Sequence, residues 1–260
     1  MGLGMARSAA RAGHDVIGHS RGNPDHGRLI TDGGQLQNDL GQVVSGRDVV
    51  CVNLFDAAQV EQVLHVEGIL SCLSPGTILV LHTTSAPQVA IGLAKAAGPQ
   101  VQIVDAAFSG SPQQAAEGAL TIMAGGDGAV FAKVAPVLGS YASYLRHVGP
   151  LGSGMRLKLL NNLLFGAHCG LAREVFRLAK ETGISVEALA DVIARSSGAS
   201  AALGMLSRHP RSSELSDGMK RYLGKDVASA LAAAASEGLD LGLLSQVASA
   251  AIADRDGTEG

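Results

Sequence analysis

Between residues 29 and 150 short apolar runs alternate with helix-like stretches, and this alternation is the feature that most limits what the chain can fold into. The runs are Val49–Leu54, Ile78–Leu81, Val101–Val104 and Leu120–Ala124; the stretches between them are Ala57–Leu64, Gln88–Ala97 and Ala129–Leu138. Such an order predicts a parallel sheet covered by helices on both faces. Before it stand a helix over Met1–Gly13 and a short strand over Asp15–His19. After Gly149-Pro150-Leu151 the strand-like runs stop. A long apolar helix reaches about Thr182, followed by Ser185–Ala194, a Ser/Gly-rich stretch at Ser196–Gly204, a polar loop over Ser207–Ser216, and Ala-rich helices over Val227–Ala235 and Leu241–Ala253. The reading is two domains, an α/β unit over 1–150 and an all-helical unit over 151–260.

Composition narrows the function classes. Hydrophobic residues are 47% of the chain and charged ones 17%, the balance of an ordinary globular protein rather than a disordered one. The net charge of -3 argues against nucleic acid as a partner. No apolar run reaches the roughly 18 uninterrupted residues of a membrane span, and Arg7 and Arg11 break what would be the apolar segment of a signal peptide. Cys51, Cys72 and Cys169 lack metal-like spacing and read as small buried hydrophobes in a reducing compartment. The eight histidines show no HxxxH pair, so no metal site is expected. Cytoplasm is the expected location.

Ligands of a parallel sheet sit beyond the carboxyl ends of its strands. The segments there are Leu54-Phe55-Asp56 and Thr83-Thr84-Ser85, both candidate cofactor loops. After the strand at 15–19 comes Ser20-Arg21. An acidic residue in that turn would hold the ribose 2′-hydroxyl of NAD, whereas an arginine accommodates the 2′-phosphate of NADP. NADP is therefore the expected cofactor, with NAD the alternative. In the long helix, Lys158 and Asn162 are four residues apart and share a face, with Gly154 one turn earlier. Leu157, Leu159, Leu160, Leu163, Leu164 and Phe165 surround them, which predicts a buried helix and a buried lysine.

Gly152-Ser153-Gly154-Met155-Arg156-Leu157-Lys158-Leu159-Leu160-Asn161-Asn162 resembles the catalytic-helix signature of the β-hydroxyacid dehydrogenases, the family of 3-hydroxyisobutyrate dehydrogenase and 6-phosphogluconate dehydrogenase. Asp105-Ala106-Ala107-Phe108-Ser109-Gly110-Ser111 is similar to that family's substrate loop, with Ala106-Ala107 in place of its A-P and Ser111 in place of its last glycine. Thr83-Thr84-Ser85-Ala86-Pro87 resembles its S-T-x-x-P, and Lys225-Asp226-Val227 its K-D-[LV]. Met1-Gly2-Leu3-Gly4-Met5-Ala6 looks like the end of its glycine fingerprint, with Gly2 as the third glycine. The resemblance implies a Rossmann-type doubly wound sheet, a helical second domain and hydride exchange between NADP and a small 3-hydroxy acid or its aldehyde form. Lys158 would be the general acid/base, with its pKa lowered toward neutrality by apolar surroundings, and Asn162 would orient the substrate. Ser109, Gly110 and Ser111 would line the carboxylate site; Gly2, Ser20, Arg21, Leu54, Phe55, Thr83, Thr84 and Lys225 would line the cofactor site.

The same alignment places the family's first strand and first two fingerprint glycines ahead of residue 1. The expectation is a first helix with no strand before it, and a gap or substitute strand between the strands starting near Val16 and Val49. Two other readings stay open: an imine reductase of the same fold, which Lys158 argues against, and a nucleotide-binding pseudoenzyme. A helix from Met155 to Thr182 that is apolar on several faces predicts a homo-oligomer.

Overall fold

The computed structural model describes residues 1–19, 27–208 and 217–252. The chain divides into two compact units, Met1–Lys158 and Leu159–Gly260. The first contains α1 (Gly2–Arg11), β1 (Ile17–Gly18), α2 (Gly27–Thr31), β2 (Gln35–Leu36), α3 (Leu40–Val44), β3 (Val49–Val52) and α4 (Ala57–Glu61), which runs on as a π-helical turn over Gln62–Val66. There follow β4 (Ile78–Leu81), α5 (Pro87–Ala97), β5 (Gln102–Ser109), α6 (Pro112–Ala116), β6 (Leu120–Gly125), α7 (Gly128–Gly139) and β7 (Ala142–Gly149). Helix α8 (Ser153–Glu181) begins in this unit and continues into the second, where α9 (Val186–Ala194), α10 (Ala201–Leu206), α11 (Asp217–Glu237) and α12 (Gly242–Ile252) follow.

Strands β3 to β7 form one sheet in the order β3-β4-β5-β6-β7. Period-2 alternation sends β4's side chains to opposite faces. Ile78 and Val80 join Met5, Ala9, Val104, Ile122, Val134 and Leu138 beneath α1 and α7. Leu79 and Leu81 join Val60, Leu64, Ala90, Leu93 and Met155 on the other face. All four residues of β4 are buried, which explains its unbroken apolar sequence. The doubly wound architecture is therefore the expected one, with one departure: β6 runs antiparallel to β5. Only residues 110–119 link these strands, too few for a parallel crossover of a dozen or more. Residues 126–141 link β6 to β7, enough for α7 to cross over and leave that pair parallel.

Several features differ from the sequence reading. Strand β7 was not anticipated, because as an edge strand it is only partly buried and carries Tyr144, Arg146 and His147 in place of an apolar run. Strand β5 extends four residues past Asp105, so Ala106–Ser109, read as loop, are paired strand. Cys51 and Cys72 are exposed, and only Cys169 is buried. The expected break is present: β1 pairs in parallel with β2 in a separate two-stranded sheet. An ion pair at 3.2 Å between Asp15 and Arg47, each just ahead of β1 and β3, ties the two sheets at their bases.

The start of α8 is held by one side chain. Asp105, fully buried on β5, accepts from Gly152 N (2.6 Å) through Oδ1 and from Met155 N (2.7 Å) through Oδ2. Burial pushes its pKa up, and the surrounding N–H groups pull the other way. The helix lies so close to the sheet that a Cβ on Gly154 would overlap the Met123 carbonyl oxygen and lie 2.9 Å from that of Asp105. Gly154 is thus a packing residue and not an open approach for a ligand.

A second buried polar group closes the α1/α7 side. His82 Nδ1 lies 2.6 Å from the Ala106 carbonyl oxygen and Nε2 lies 3.0 Å from the Tyr141 hydroxyl. A carbonyl only accepts, so Nδ1 carries the proton and Nε2 accepts from Tyr141. Burial lowers the His82 pKa to about 4.

Both buried groups can be tested by unfolding. Asp105→Ala leaves two buried N–H groups unpaired, and at about 1–3 kcal/mol each this should destabilise the chain by about 2–6 kcal/mol in urea unfolding; a loss under about 1 kcal/mol would remove the anchoring role. For His82 the unfolded chain takes up the proton first. Its contribution is complete above about pH 6.5 and declines by about 1.4 kcal/mol per unit down to about pH 4. His82→Gln should flatten the fall in urea midpoint between these pH values, and superimposable profiles for the two proteins would count against it.

Candidate active site

The first turn of α1 meets the carboxyl end of β3. Gly2 is the first residue of α1, and a Cβ there would rest 3.6 Å from the Asn53 side chain, an ordinary contact. The glycine under steric demand is Gly4, whose Cβ would meet Ala116 N at 2.9 Å and the Pro112 carbonyl oxygen at 3.0 Å. Ser8 fastens the same two helices by donating to the carbonyls of Ala115 and Ala116. Met1, the residue ahead of α1, offers no capping side chain. Leu54 and Phe55 follow β3, and Leu54 N donates to Thr83 Oγ1 (2.9 Å), joining the loops after β3 and β4. Thr83 is buried and Thr84 half-buried. A helix N-terminus, two strand-end loops and their backbone N–H groups suit the phosphates and ribose of a dinucleotide. Ser20 and Arg21 lie outside the described residues.

Ser109 ends β5 and is half-buried, and Gly110 follows with φ +143°, where a Cβ would also lie 2.5 Å from Leu120 Cδ2. Only glycine fits this turn. Ser111 acts on its own helix: its hydroxyl accepts from Gln114 N while Gln114 Oε1 accepts from Ser111 N, a capping box that starts α6. The serine that replaces the family's glycine thus caps α6 through its oxygen and keeps its own O–H to donate.

Lys158 lies on α8 one turn after Gly154 and is half-buried, not buried as the sequence suggested. The reason is the helix surface around it: Leu157, Leu160, Leu164, Leu171 and Leu178 are each exposed, so α8 is not enclosed on all sides. Asn162 is buried. Within the second unit its Nδ2 donates to Asp226 Oδ2 (2.5 Å), and Asn161 Nδ2 donates to its Oδ1 (3.0 Å). Lys225 stands in the interior of α11, with Nζ 2.8 Å from Asp226 Oδ1. Asp226 was not singled out from sequence although it stands in the quoted K-D motif, because its contact with Asn162 forms only when α11 lies against α8. Asp105 was likewise quoted only as the opening of a loop. Among the described residues, no group of three His, Cys, Asp or Glu side chains is placed to hold a metal ion, and no helix is long and apolar enough to cross a membrane.

Comparison with known proteins adds an independent line. Residues 1–149 match the NAD binding domain of 6-phosphogluconate dehydrogenase, and residues 152–259 match the NAD-binding family of NADP-dependent 3-hydroxyisobutyrate dehydrogenase. The chain is 32% identical over 205 residues to 2-(hydroxymethyl)glutarate dehydrogenase of Eubacterium barkeri, covering 78% of this chain and 68% of that protein. It is 37% identical over 155 residues to an uncharacterised oxidoreductase of Mycobacterium tuberculosis, covering 59% of this chain and 52% of that one. The matched stretch thus covers 52% to 68% of the length of these relatives. A solved structure of Mycobacterium tuberculosis 3-hydroxyisobutyrate dehydrogenase with L-serine superposes with a TM-score of 0.83 at 25% identity, over 96% of this chain and 88% of that one. With residues 1–149 matching the nucleotide domain and residues 152–259 matching the second family, the chain belongs to the β-hydroxyacid dehydrogenase family of NAD(P)-dependent oxidoreductases.

Proposed function

We propose that the protein exchanges a hydride between NADP(H) and the carbinol carbon of a small 3-hydroxy acid, or its semialdehyde or keto form. The observation that carries this reading is Lys158 and Asn162 standing one turn apart on α8, whose first turn is clamped to the sheet by Asp105. A bound nicotinamide would supply the hydride acceptor or donor. In oxidation the substrate hydroxyl loses its proton to Lys158 Nζ as the hydride leaves the same carbon; in reduction Lys158 returns that proton to the carbonyl oxygen. Asn162 orients the substrate oxygen. Ser109 and Gly110 offer a hydroxyl and a backbone N–H to the carboxylate. Relatives named for 2-(hydroxymethyl)glutarate and 3-hydroxyisobutyrate, the latter solved with L-serine, support a hydroxy acid of this kind. The preference for NADP over NAD is supported by Arg21, three residues after Gly18 in the sequence, and by the NADP-dependent description of the matching second family.

The long helix supports a further part of this reading. Leu157, Leu164, Leu171 and Leu178 recur every seven residues along α8 and are each roughly half exposed, an apolar seam of the kind that pairs helices. We infer a homo-oligomer formed through this seam. The protein is read as acting on a small molecule, with neither nucleic acid nor membrane as partner.

In an assay of NADPH and NADH consumption with a panel of small aldehyde acids, Lys158→Ala should lower kcat by about 10²–10⁴ and leave NADPH binding by fluorescence titration nearly unchanged. Retention of more than about a tenth of the rate at saturating substrate would remove Lys158 from the acid/base role. By light scattering at micromolar concentration the wild-type chain should be a dimer or larger and Leu164→Glu/Leu171→Glu a monomer; a monomeric wild type would end the oligomer reading.

A further inference from the structure

In the helical unit Asn162 is not simply presented by its own helix. Its carboxamide is fixed at both ends, by Asp226 Oδ2 at Nδ2 and by Asn161 Nδ2 at Oδ1. A carboxylate can only accept, so Asp226 decides which way the amide is turned. Packing puts the two residues together. A Cβ on Gly166, one turn after Asn162, would lie 3.5 Å from Leu223 Cδ1, and Leu223 is one turn before Asp226. That is an ordinary contact distance, so α8 and α11 pack side by side at this level and bring Asp226 within reach of the amide. Asp226 is itself 9% exposed and Asn162 8%, so water competes little for this bond. Lys225 Nζ at 2.8 Å from Oδ1 supplies the countercharge for the other carboxylate oxygen.

We propose that Asp226 is a positioning residue for the reaction: it sets the Asn162 amide so that Asn162 meets the substrate oxygen as an N–H donor rather than through its carbonyl oxygen. The Nδ2 group has two hydrogens, of which Asp226 takes one and leaves the other for the substrate. The Oδ1 atom is turned toward Asn161. This rests on the reading of Asn162 as a substrate-orienting residue and adds which of its atoms does the work and what holds it there. Lys225, proposed above for the cofactor site, acts here as the partner of Asp226.

The test compares Asp226→Asn, Asp226→Glu, Asn162→Ala and the double variant Asn162→Ala/Asp226→Asn. Misplacing a positioned group by about 1 Å costs on the order of 10²-fold, so Asp226→Asn should lose about 10–100-fold in kcat/KM. NADPH binding should stay within a few-fold, Asp226→Glu should recover part of the loss, and the double variant should be no slower than Asn162→Ala, since both remove one interaction. Wild-type kinetics in a folded Asp226→Asn variant, or multiplicative losses in the double variant, would overturn the proposal. An unimpaired Asn162→Ala would instead overturn the reading of Asn162 on which it rests. A measurement on the unmodified protein covers the case in which Asp226→Asn does not fold. In its ¹H–¹⁵N spectrum one Asn162 Nδ2 proton, assigned by its loss in Asn162→Ala, should stand downfield of free carboxamide protons. Two protons at the free-amide position would show that no carboxylate is engaged and sink the idea.

Discussion

The carboxylate of Asp105 at the start of α8 is the interaction on which the rest of the arrangement depends. A helix N-terminus leaves backbone N–H groups without partners, and burying it against a sheet is costly unless an acceptor is supplied. Asp105 supplies both of its oxygens to Gly152 and Met155. It does so from the residue of β5 that pairs with Leu81 on one side and Gly125 on the other, in the middle of the sheet. The glycines at 125 and 154 allow this approach, since a Cβ on Gly125 would lie 2.5 Å from Asp105 Oδ1 and 2.9 Å from Gly154 N. A rigid strand, a paired acid and two glycines therefore set the origin of a 29-residue helix. The position of Lys158, one turn past Gly154, follows from the pitch of that helix.

The two ends of β5 serve different purposes. Its central part, buried on both faces, fixes α8; its last residues reach past the end of β4 and carry Ser109 to the turn at Gly110. The short return through α6 forces β6 to run antiparallel, and the Ser111 capping box lets α6 begin immediately after that turn. Helix α6 in turn receives α1 through Gly4 and Ser8. One stretch of about fifteen residues thus anchors the helix proposed for catalysis, presents the serine proposed for the carboxylate and seats the helix proposed for the phosphates.

Much of this was legible in the chain itself. The alternation of apolar runs with helical stretches carries the doubly wound unit, because a strand buried on both faces can tolerate little else, as β4 shows with Ile78–Leu81. The loss of strand-like runs after residue 150 carries the helical unit, and the spacing of Lys158 and Asn162 puts them on one helix face without reference to any contact. The motif pattern of α8 and of the loop after Asp105 identified the family, which the matches over residues 1–149 and 152–259 bear out.

What tertiary structure alone decided concerns partners distant in sequence. Strand β7 was hidden because a partly buried edge strand needs no apolar run. The half-exposure of Lys158 depends on which faces of α8 its neighbours cover, a matter that local periodicity does not encode. Gly154 reads in sequence as room for a ligand and in the fold as the contact point of helix and sheet. Asp105 meets Gly152 across 47 residues and Asp226 meets Asn162 across 64. The chain states which residues can accept a hydrogen bond and how those on one element are spaced. Which buried donor each acceptor meets is settled only when the strands and helices pack.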